Sequence, residues 1–151
     1  MTPREALQDA LAAEHAALWV HGLLGAQTSR TTDPALAGLL DEAYAAHRER
    51  RDRLTELLVA DGAEPVAALA AYDVPGDLGT AAGIERAALD LERGCAAVWA
   101  TVVESTVGER RRLAVAVLTE TAVRELDFRG TPEMFPGSSS TRTAEGPGQE
   151  P

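Results

Sequence analysis

The sequence predicts an all-α fold: a four-helix bundle with one long crossover between helices two and three. Three observations predict it. Apolar residues make up 45% of the 151-residue chain but aromatics only 4%, so the interior has to be built from Ala, Leu and Val, small side chains that suit closely packed helices. Apolar positions recur at helical spacing in four long stretches, each with a helix start before it. No stretch shows the period-two alternation of a half-buried strand.

The first helix starts at Thr2, Pro3 and Glu5, a capping box with proline at the first helical position. Leu7, Leu11, Leu18 and Leu24 carry it to about Gln27, and TSRTTD breaks it. Asp33 and Pro34 start the second helix by the same logic. Its inner stripe is Leu36, Leu40, Ala43, His47, Leu54 and Leu58, its outer face carries Glu49, Arg50, Arg53 and Glu56, and Gly62 ends it. The connection GAEPVAALAAYDVPGDLGT follows, with PVAALAAY as a short helical turn inside it. The third helix begins near Thr80 and runs through IERAALDLERGCAAVWATVVE. Thr106 and Glu109 form another capping box, and the fourth helix places Leu113, Val117, Glu120 and Arg124 on one face before ending near Phe128. RGTPEMFPG folds back over a bundle end through Met134 and Phe135. Residues 1–136 thus form one bundle domain, and the polar stretch 137–151 is read as a disordered tail.

The connections choose the topology. Helices one and two, and helices three and four, are joined by short links, so each pair is antiparallel. A helix of about 26 residues is ~39 Å long. A connection of about eighteen residues reaches ~59 Å when extended, enough to travel the length of the bundle. Two helical hairpins joined by one long crossover is the ferritin-like connection.

Charged and imidazole side chains interrupt the inner stripes. Glu14 lies among Leu7, Leu11, Leu18 and Gly25; His47 lies on the second stripe with Arg51 one turn later. Glu92 shares a face with Ala88, Cys95, Trp99 and Val102, and Glu120 shares one with Arg124. Each helix therefore brings one acid or imidazole to mid-bundle. Carboxylate-bridged di-iron and di-manganese bundles use one Glu from each of two helices and Glu-x-x-His from each of the other two. Glu14 and Glu92 occupy the places of the single glutamates. Tyr44-x-x-His47 keeps the His, and Glu120-x-x-Val123 keeps the Glu. Glu14, His47, Glu92 and Glu120 are the candidate metal ligands, with iron or manganese as the cofactor.

LAAEHAALWVHGLLGA, AAHRERRDRL, LERGCAAVWA, and AVREL with FRGTPEMFPG resemble an alanine-rich, ferritin-like domain family common in actinobacteria, over about residues 5–137. The resemblance implies a ferritin-like bundle, a homodimer, and no established biochemical activity. Trp99 and His21 stand where the family pattern leads us to expect Tyr.

Arg51 and Arg124 weigh against metal. A guanidinium beside a carboxylate satisfies it and repels a cation. The leading expectation is therefore a non-catalytic bundle whose Glu14, His47, Arg51, Glu92, Glu120 and Arg124 form an arginine-neutralised polar network. The alternatives are a metal-binding oxidoreductase-type bundle and a dimeric interaction scaffold. His15 and His21 are read as partly exposed or at a dimer contact, Cys95 as a small core residue, and Trp19 and Trp99 as packing anchors.

Composition excludes other classes. A net charge of −10 does not suit a nucleic-acid partner or an anionic membrane. Cys95 is the single cysteine, which leaves no intrachain disulfide and fits a reducing compartment. MTPREALQDA lacks the apolar core of a signal peptide, and the expected location is cytoplasmic.

Overall fold

The computed structural model describes residues 1–74, 76–130 and 134–137, and these contain four helices and no strand. The helices are α1 (Pro3–Gln27), α2 (Pro34–Ala60), α3 (Ala81–Ser105) and α4 (Gly108–Asp127).

Local chemistry sets most of the ends. The Thr2 side chain accepts from the Glu5 amide while the Glu5 carboxylate accepts from the Thr2 amide, closing the capping box that starts α1. Gly62, at φ +68°, ends α2: its amide donates to Val59 and the Ala63 amide donates to Leu58. That pair of bonds is a Schellman cap, which needs a left-handed residue. Thr80 caps α3 by accepting from the Gly83 amide. Three expectations are corrected. Thr106 does not cap α4; its hydroxyl donates back to the Val102 carbonyl at 2.6 Å, and Val107 is the N-cap. PVAALAAY forms no helical turn. Met134 and Phe135 do not cover a bundle end, being 88% and 70% exposed. Gly137 instead sits against α3, where an added Cβ would stand 2.4 Å from the Ala96 carbonyl oxygen. The tail expectation, beyond Gly137, lies outside the described residues.

Side-chain packing fixes the directions of the helices. One core layer joins Ala6, Leu7 and Leu11 of α1 to Leu54 and Leu58 of α2, Trp99 and Val102 of α3, and Ala114 and Val117 of α4. The other joins Val20 and Leu24 to Leu36, Leu40, Ile84, Ala88 and Phe128. The start of α1 therefore shares a bundle end with the ends of α2 and α3 and the start of α4. Helices α2 and α3 run parallel, and the crossover returns the chain along the whole bundle. It is pinned to α1 on the way. The Gln8 amide donates to Glu64 O and accepts from Val66 N, at 2.7 and 2.8 Å, and His15 Nε2 donates to Val66 O at 3.0 Å. Farther on, Trp19 packs on Tyr72 with ring centroids 6.0 Å apart.

Helix α4 turns Val117 to the core as expected, but its other inward positions fall one residue later than expected. Ala114, Val117, Thr121 and Glu125 are buried, not Leu113, Glu120 and Arg124. On α2 the buried arginine is Arg50 rather than Arg51.

Candidate metal centre

Between the two apolar layers lies a belt of polar side chains. Alanines at positions 10, 17, 88 and 96 are fully buried and let the helices close around it. Glu14 and His21 come from α1, His47 from α2, and Glu92 and Trp99 from α3; all are at most 1% exposed. Buried charge of this kind is costly unless every group finds a partner.

The partners are specific. Glu14 Oε1 accepts from the Trp99 indole N–H at 2.7 Å, and Glu14 Oε2 accepts from His47 Nδ1 at 2.6 Å. Glu92 Oε1 accepts from His47 Nε2 at 3.0 Å and from His21 Nε2 at 3.1 Å. The two imidazoles stack with centroids 5.1 Å apart, and Phe128 covers the other face of His21 at 6.0 Å. Both nitrogens of His47 meet carboxylate oxygens, and only an imidazolium donates from both.

Electrostatics follow this pattern. Burial works against charge on His47, but its bonds to Glu14 and Glu92 outweigh burial and raise its pKa. Burial lowers the pKa of His21, and the neighbouring positive charges of His47 and Arg124 add to this; the bond to Glu92 offsets them only in part. Burial would raise Glu92, yet the hydrogen bonds from His21 and His47 hold it far below the usual carboxylate range. His21 is thus a neutral imidazole whose Nε2–H donates, and its Nδ1 is a buried acceptor with no partner. Glu92 Oε2 is likewise buried without one. Burial, with the charges of Glu14 and Glu92, pushes the Cys95 thiol well up, so it is a poor nucleophile.

Of the expected site residues, Glu14, His47 and Glu92 meet. Glu120 stands apart, its side chain 61% exposed and held by Arg50 at 3.2 Å. Arg51 is partly buried, away from the cluster, and pairs with Asp52. Arg124 is half-buried, and its inward Nη1 has no hydrogen-bond partner. The expectation that arginine neutralises the buried acids is therefore corrected: imidazole and indole do so. Sequence reasoning missed His21 as a site residue. It lies seven residues from Glu14, two helical turns on the same face, and that spacing was the available signal. It also missed the polar role of the Trp99 N–H.

Three atoms could hold one metal ion. One ring nitrogen of His21, one of His47 and a Glu92 carboxylate oxygen all lie within 4.8 Å of one another. Two imidazoles and one carboxylate match mononuclear iron(II) and zinc sites. Glu14 bonded to His47 Nδ1 is the outer carboxylate that orients a metal-binding histidine in such sites. A groove of about 480 Å³ between the end of α1 and the start of α2 is lined by His21, Gly22, Gly25 and Tyr44, and the His21 ring beneath it is closed off from solvent.

The sequence profile of a family described as a domain of unknown function, DUF4439, matches residues 6–140. The crystal structure of a conserved hypothetical protein, rv2844, from Mycobacterium tuberculosis superposes with a TM-score of 0.77 at 34% identity, covering 84% of this chain and 87% of that one. No curated protein matches the chain significantly.

Proposed function

The chain belongs to the DUF4439 domain family, and on that premise we propose that it is a metal-binding bundle of ferritin-like topology, holding one transition-metal ion between His21, His47 and Glu92. The observation that carries this reading is the convergence of two imidazole nitrogens on one carboxylate oxygen, at 3.0 and 3.1 Å, with Glu14 bonded behind His47. The long crossover between two antiparallel hairpins supports the ferritin-like assignment. A two-metal centre is not favoured, because Glu120 lies at the surface with Arg50. Two imidazoles favour iron over manganese, which prefers all-oxygen ligands. Bound there, the metal supplies Lewis acidity or, as iron, one-electron chemistry. The protein's own part is to orient the ligands, through Glu14 and Trp99, and to exclude bulk water.

Elemental analysis of untagged protein, from cells grown with added iron and manganese, tests the reading. The expected result is close to one metal per chain, lost in Glu92→Gln and His21→Ala and kept in Glu120→Ala. Metal-free wild-type protein overturns it.

A second reading has its own observation. The His47 imidazolium sits between Glu14 and Glu92 with both nitrogens bonded. The cluster then serves as a metal-free, non-catalytic lock on helix register, as buried polar groups do in coiled coils. Under either reading we place the protein in the cytoplasm, in keeping with its single cysteine. No described helix is long and apolar enough to cross a membrane. The exposed Val115, Val123 and Leu126 of α4 are the natural homodimer or scaffold face. Sedimentation at several concentrations tests it, and a strict monomer removes it.

A further inference from the structure

Arg124 is the ion the polar belt leaves unused. It stands on α4 one turn before Phe128, whose ring stacks on His21. Its positive charge acts on both His21 and Cys95. Its Nη1 is buried and makes no hydrogen bond. Arg50 is bonded to Glu120 and Thr121 although its buried Nε has no partner, Arg93 pairs with Glu125, and Arg110 pairs with Asp61. A half-buried guanidinium with an inward, unbonded N–H is unfavourable unless something else accepts from it.

We propose that the metal-loaded centre binds a small monoanion, such as a carboxylate, between the metal and the Arg124 guanidinium. The inference rests on the metal reading above. Three protein ligands leave at least one coordination position open. The charges then call for an anion. A divalent ion with Glu14, Glu92 and Arg124, and with both histidines neutral as ligands must be, leaves one positive charge in a water-poor interior. One bound monoanion cancels it, and its second oxygen gives Nη1 the acceptor it lacks. The groove lined by His21 and Gly22 is an approach from solvent toward His21, whose ring is fully buried beneath it. Gly25 has open space where a side chain would stand, and Tyr44 lies 3.7 Å from the place of a Gly22 Cβ. Arg30 at the groove mouth is bonded twice to Asp41, at 2.8 and 2.9 Å, so it does not trap an anion before it reaches the centre.

Cobalt(II)-loaded protein, titrated with azide and with acetate and followed by visible absorption, tests the inference. Wild-type protein is expected to show a saturable spectral change with both anions. Arg124→Gln is expected to weaken azide binding at least tenfold while cobalt binds as tightly or more tightly, since a repelling cation has gone. Arg124→Lys keeps the charge and is expected to fall between the two; it also guards against misfolding of the glutamine variant, checked by circular dichroism. Cobalt uptake without an anion response, or equal azide affinity in wild type and Arg124→Gln, overturns the anion site and leaves the metal site standing. A wild-type protein that takes up no cobalt overturns the metal reading and this inference with it.

Discussion

Along the seam of α1 and α3, Glu14 and Glu92 are fully buried and draw their partners from His47, His21 and Trp99. Along the seam of α2 and α4, Glu120 is 61% exposed, and Arg50 reaches across to it and to Thr121. That second seam opens into a groove of about 710 Å³ lined by Tyr44, Arg48, Asp52, Glu56 and Leu113. The difference lies in the residues at the contact. Small side chains such as Ala17, Ala88 and Ala96 let helices close until water is gone, and the carboxylates left inside have to be matched atom by atom. Where the flanks carry long charged side chains, arginine spans the gap and solvent does the rest. Chemistry that needs a dry, preorganised ligand set belongs to the first seam.

The largest expected effect is on that seam. His47→Ala takes the imidazolium from two buried carboxylates and should cost roughly 3–5 kcal/mol. Metal-free protein should then melt lower by on the order of 10 °C in calorimetry. An unchanged melting temperature would show that water replaces the ring, and the contrast between the seams would collapse.

The pH dependence sharpens the comparison. His47 has a raised pKa, so its contribution is complete below the ordinary histidine value of 6.5 and is lost as pH climbs through the raised folded value. His21 is lowered, so its contribution is present above 6.5 and falls away below it. Glu92 is lowered from 4.5, and its contribution fades only as pH drops below that value. Metal-free wild type should therefore lose stability both above and below about neutral pH. In His47→Gln the loss on the alkaline side should vanish. Urea midpoints measured from pH 5 to pH 9 read this directly.

The second seam should respond less. Arg50→Met removes a buried bond to Thr121 and a half-exposed one to Glu120, for about 1–2 kcal/mol by chemical denaturation. Glu120→Ala should be smallest, within about 0.5 kcal/mol and with metal content unchanged. A loss of metal in Glu120→Ala would move the centre toward α4 and erase the contrast between the two seams.

How much of this was legible in the sequence depends on how many apolar markers bracket each polar residue. Glu14, His47 and Glu92 each lie inside a stripe of buried aliphatic residues, and their inward direction follows from the helical period. Arg50 and Arg51 lie in the run RERRDR between His47 and Leu54, with no apolar residue to fix the phase. Steps of three and of four both keep a residue on the face, and the fold takes the three-residue step to Arg50. On α4 the run LAVAVL is apolar on every side, so the pattern carries no register, and the buried face falls on Ala114 and Thr121. Tertiary packing, not periodicity, decides such stretches. His21 was legible in principle by its spacing from Glu14. The pairing of acids with imidazole and indole rather than guanidinium was not, because it depends on how closely particular helices approach.

The crossover has a consequence for how the molecule could be divided. Residues 67–71 are exposed and irregular, while Gln8 and His15 hold the strap just before them. A cut there would leave two hairpin fragments, one with His21 and His47, the other with Glu92 and Trp99. Neither carries the whole buried cluster, so the fragments should recognise each other by complementation, and under the metal reading added metal should tighten that association between the two halves of a severed chain.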